Sequence, residues 1–169
     1  MDTMTTTHNQ LFVTMAISAW ETSVKRTGKI FDSLTDDQLM MEIAPGRNRG
    51  IYLLGHLVAV NDGILKILGF GDKQYPQLEE TFLTNADNPG VAMPSVQELR
   101  SYWKNSVNKL SEHFSKMQAE DWFGRHMAVS DADFEKEPHR NKLNVIINRT
   151  GHLEYHRGQL VFLLPREND

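Results

Sequence analysis

Over four long stretches of this 169-residue chain, apolar residues recur three and four positions apart, and no stretch shows the two-residue alternation of a strand. Phe12, Ala16, Trp20, Val24, Phe31 and Leu34 mark an amphipathic helix from Asn9 to about Leu34. A second stripe runs from near Gly50 through Leu54, Leu57, Val60 and Ile64 to Leu68, where Gly69 and Gly71 stop it. Ser95 is placed as the N-cap of a third helix with Glu98 completing a capping box, and Leu99, Trp103, Val107, Leu110, Phe114 and Met117 follow as its stripe. The fourth helix spans about Lys142 to Leu164, and Pro165 ends it.

The intervening segments are long. Thr35 caps a short helix that ends by Pro45-Gly46. Periodicity is lost from Asp72 to Pro94, apart from a short helix around Leu78–Leu83, and again over the acidic residues 119–140. Residues 1–8, polar and Thr-rich, read as a flexible leader. Stripes of this length can be buried only against one another, so the expected fold is all-α: a four-helix bundle with long connections, one domain over residues 1–169.

Composition narrows the chemistry. With no cysteine there is no disulfide, thiolate ligand or cysteine nucleophile, so a metal must be held by His, Asp or Glu. The net charge of −4 offers no basic field, and neither nucleic acid nor a membrane surface is expected as a partner. No run reads as a bilayer span and the N-terminus lacks signal-peptide features, which makes the cytoplasm the expected location.

The chemistry-bearing stretch is Gly151-His152-Leu153-Glu154-Tyr155-His156-Arg157-Gly158-Gln159. On a helix His152 and His156 stand one turn apart on one face, shared with Asn148, Tyr155 and Gln159. Such a pair can share a divalent metal, or can be two hydrogen-bonded histidines on a partly buried face. His56, on the second helix, has Tyr52, Ala59, Val60, Gly63 and Ile67 beside it in angle, and a bundle can bring it opposite the pair. His113 falls off its helix's stripe and is expected to be solvated, while His126 and His139 lie in the loose connection with Trp122 and Phe123, surface aromatics that would serve a partner or cap the bundle end. Leu153 stands where a zinc protease needs Glu, Glu154 and Asp62 point away from the ligand face, and Glu-x-x-His pairs, nucleophile elbows and phosphate-binding loops are missing.

Leu54-Gly55-His56-Leu57-Val58-Ala59, followed by the His-x-x-x-His-x-Gly-Gln segment His152 to Gln159, resembles the DinB/YfiT-like superfamily. The resemblance implies a bundle with an unusual connection order, frequently dimeric, and a metal near one end held by His56, His152 and His156. It implies zinc or nickel, with iron as a further option. Characterised relatives include thiol-dependent transferases and isomerases using bacillithiol, mycothiol or glutathione. The expected function is therefore a metal-dependent S-transferase acting on small electrophiles, with a low-molecular-weight thiol as cosubstrate and Tyr155 and Gln159 orienting the ligand. The alternatives are a non-catalytic metal-binding module of stress response, working as a homodimer, and a metal-dependent hydrolase.

Overall fold

The computed structural model describes residues 3–165. Helix α1 spans Thr3–Ser33, α2 Asp36–Met40, α3 Gly50–Leu68, α4 Val96–Phe114, α5 Asp131–Lys136 and α6 Lys142–Leu160. A π-helical segment, Glu80–Thr84, lies between α3 and α4, and 3₁₀ turns occur at Ala119–Phe123 and Val161–Leu163. No strand occurs among the described residues. The four long helices α1, α3, α4 and α6 enclose one apolar core, with α1 packed along α6 and α3 along α4.

The helix boundaries follow from their caps. Thr35 and Ser95 each accept the N3 amide while Gln38 and Glu98 reach back to the cap amide. Asn141 caps α6 through the amide of Asn144, at 2.9 Å. Gly69, at φ +77°, ends α3 in the left-handed conformation that favours glycine.

Three expectations are corrected here. Helix α1 runs from Thr3, ahead of the expected start at Asn9, and residues 1 and 2 of the expected leader lie outside the described ones. Phe12 is 59 % exposed and Val13 takes its place in the core, because Val13 precedes Trp20 by seven residues and so returns to the same face. Trp122 is fully buried, not a surface aromatic, and its ring meets Phe114 edge-on at 5.1 Å where the 3₁₀ turn closes the bundle.

Helix α3 is the centre of the core and the one helix among the described residues long and apolar enough to cross a bilayer, contrary to the sequence reading. Its mean hydropathy of 1.5 reflects a different fate: 83 % of that stretch is buried inside the bundle. The connection after it is tied back onto it at both ends. Buried Asp62 accepts the amides of Gln74 and Tyr75, each at 2.8 Å. Arg49, just before α3, donates to Asp87 through its backbone amide and its guanidinium, with Nη2 at 2.6 Å from Oδ1. Tyr52 adds a bond from its hydroxyl to the Asn85 carbonyl at 2.7 Å. These ties lay the π-helical segment across α3, directly over His56.

Candidate metal centre

At the contact of α3 with α6, His56 meets His152 and His156. His156 is buried and the other two are half-buried. The Nε2 atom of His152 lies 3.2 Å from Nε2 of His56 and 3.2 Å from Nε2 of His156. The three ligand atoms are all within 4.8 Å of one another, and the group could hold a metal ion.

The outward-facing nitrogens decide what the inward ones can be. His56 Nδ1 lies 2.8 Å from the Phe82 carbonyl, an acceptor only, so it carries the proton and donates. His156 Nδ1 stands 2.7 Å from Gln159 Oε1, which likewise accepts. In the neutral rings this leaves a bare lone pair on Nε2 of both His56 and His156, aimed at the same point as Nε2 of His152. A single imidazole proton cannot satisfy both lone pairs; a cation at that point can. Ligands at zinc–nitrogen distances stand about 3.3 Å apart in a tetrahedron, close to the 3.2 Å of the two pairs that include His152. His152 Nδ1 is buried without a hydrogen-bond partner among the described residues, so its tautomer is not fixed in the same way.

Electrostatics point the same way. Burial first, then the neighbouring imidazoles and Arg149, push the His152 pKa down to about 4. Burial also lowers His56 and His156, partly opposed by their hydrogen bonds to Phe82 and Gln159. All three are thus kept neutral, the form that binds metal.

A cavity of about 540 Å³ opens beside His56 and His152. Ala59, Val60, Gly63 and Ile67 of α3 form its apolar wall, as their angular proximity to His56 requires. Met127 and Ala128 form another side, and the Met127 amide bonds the Ile67 carbonyl at 2.8 Å to hold that loop against the end of α3. Arg149, one turn before His152, also lines the cavity; the i, i+3 spacing would have found it in the sequence.

The remaining expected residues fall as follows. Gln159 contacts His156, whereas Tyr155 is 64 % exposed, lies off the cavity wall and packs edge-on against the His156 ring. Glu154 accepts a hydrogen bond from Ser23 of α1 and pairs with Arg157 on its own helix. Asn148 is exposed and bonds Asn144. His113 is half-buried instead of fully solvated: it stacks on Phe70 at 4.5 Å with Nε2 buried, because the residue after the α3 cap folds over it. His126 accepts the Ala128 amide and His139 is exposed, and neither joins the three-histidine group.

The bundle thus gathers three imidazoles from two of its long helices into a group that could hold a metal ion. The family model of the DinB superfamily matches residues 19–160, and the chain belongs to that superfamily. In overall fold it is similar to the crystal structure of a conserved protein from Enterococcus faecalis, with a TM-score of 0.53 and 14 % identity, covering 88 % of this chain and 96 % of that one. No curated protein matches.

Proposed function

We propose that the protein is a metal-dependent S-transferase in which His56, His152 and His156 hold one divalent ion, zinc or nickel, and a low-molecular-weight thiol attacks a small electrophile. The observation that carries the metal reading is the convergence of the Nε2 atoms with two tautomers fixed from behind. Three neutral imidazoles leave the ion's charge uncompensated, and such an ion lowers the pKa of a bound thiol towards neutrality. The chain's own residues do the rest. Phe82 and Gln159 hold two rings in orientation, and Ala59, Val60 and Ile67 offer an apolar surface beside the site for the electrophile. The absence of cysteine is consistent with a nucleophile that arrives with the cosubstrate.

The hydrolase reading is less well supported because Asp62 and Glu154 are engaged elsewhere and neither lines the cavity. A cytoplasmic homodimer is the form in which we expect the protein to work. Leu11, Phe12 and Met15, each more than half exposed on one face of α1, give an apolar patch for a second copy. The test is turnover of 1-chloro-2,4-dinitrobenzene by metal-loaded protein with bacillithiol, mycothiol and glutathione in turn. Thiol-dependent turnover that disappears on metal removal is expected; no turnover with any of the three refutes the transferase. Ester or lactone hydrolysis without thiol would favour the hydrolase instead.

A further inference from the structure

The cavity beside the histidines is walled by cations and by no acid among the described residues, in a chain whose net charge is −4. Its three cations differ in how they are engaged. Lys66 is exposed in the last turn of α3, where the helix dipole favours it. Lys73 is ion-paired with Glu79. Arg149 is half-buried and lines the cavity, and among the described residues it makes no ion pair, while burial lowers the pKa of its guanidinium.

That placement needs a reason. A guanidinium stays charged when buried, and withdrawing it from water without an anion is unfavourable. It is also adverse to the neighbouring site, since its charge reaches both His56 and His152 and disfavours a second cation there. An anion lying between Arg149 and the histidines would reverse both effects. A single unpaired guanidinium balances one negative charge, and its planar fork matches a carboxylate in two parallel hydrogen bonds. Ala59, Val60, Gly63 and Ile67 give the same cavity an apolar side.

Resting on the assignment of the histidine site above, we propose that the cavity binds a small organic carboxylate, held by Arg149 at its charged end and by Ala59, Val60 and Ile67 along its apolar body. The carboxylate belongs either to the thiol cosubstrate or to the electrophile. Arg149 is then a binding and specificity residue, and the neutral analogue of the same shape is rejected because it leaves the guanidinium unpaired.

The test is calorimetric titration of metal-free, full-length protein with 4-phenylbutyrate and with 4-phenylbutyramide. A charge-assisted pair of hydrogen bonds gives the carboxylate an advantage of about tenfold or more. Arg149→Gln should abolish the preference, Arg149→Lys should restore part of it, and both variants should keep wild-type helicity. Equal affinities, no binding of either compound, or a preference that survives in Arg149→Gln would overturn the proposal. Zinc-loaded protein titrated with 3-mercaptopropionate and its amide then locates the carboxylate: an Arg149-dependent preference places it on the thiol, and none places it on the electrophile. Because the first titration needs neither metal nor turnover, its failure is distinguishable from failure of the transferase reading, which the thiol assay and metal content report separately.

Discussion

Gly55 and Gly63 sit eight residues apart in α3, and the same substitution should act on them in opposite directions. In an ordinary helix interior, Gly→Ala is favourable by about 1 kcal/mol. At Gly63 a new Cβ would meet nothing within 4 Å, so that gain should be realised nearly in full. At Gly55 the Cβ would stand 2.6 Å from Phe82 Cδ1 and closer still to Cε1 and Cζ. Phe82 is fully buried and cannot swing away, so the upper end of the overpacking range, about 3 kcal/mol, applies. The net expectation is about 2 kcal/mol of destabilisation for Gly55→Ala and about 1 kcal/mol of stabilisation for Gly63→Ala. For a domain of this size each kcal/mol moves Tm by about 2–4 °C, so thermal denaturation of metal-free protein should separate the two variants by about 6–12 °C. Gly55→Ala should also weaken metal binding, because displacing Phe82 moves the carbonyl that orients His56. If both substitutions raise Tm alike, the π-helical segment does not lie against α3 and the account of His56 fails with it.

Metal-free protein should lose stability as pH falls from about 6.5 towards 4. The His152 pKa of about 4 lies below the unfolded value, so the unfolded chain binds more protons across that window and acid favours unfolding. Urea midpoints at pH 5 and pH 7.5 in the presence of chelator check this; equal midpoints would contradict it, and His152→Ala should flatten the dependence. Gln159→Leu should lower metal affinity by about 10–100-fold while leaving stoichiometry intact at saturating metal, since it removes the acceptor that holds His156. Competition with a chromogenic chelator measures that, and unchanged affinity would remove Gln159 from its supporting role.

Most of the architecture was legible because helical spacing and caps are local. The bounds of α3 and α4, and the neighbours of His56 along the cavity wall, follow from counting about 100° per residue. What escaped depended on contacts from elsewhere in the chain. Phe82 reaches His56 through a backbone carbonyl, and its side-chain identity gives no sign of that. His113 was misread because Phe70 comes from a loop after another helix, and Trp122 because a polar, aperiodic segment folds its aromatic inward. Arg149 is different: it stands at helical spacing from His152 and was passed over for Asn148, which the bundle leaves exposed.

The central claim is that three histidines from two helices hold one ion, and metal content tests it most directly. Protein purified without a histidine tag should carry one divalent ion per chain. His56→Ala, His152→Ala and His156→Ala should each lose it while keeping wild-type helicity by circular dichroism, because each removes one of three ligands and no cysteine can substitute. His139→Ala, an exposed residue outside the group, should retain full metal. If His56→Ala keeps the ion while His152→Ala and His156→Ala lose it, the three-histidine centre is wrong.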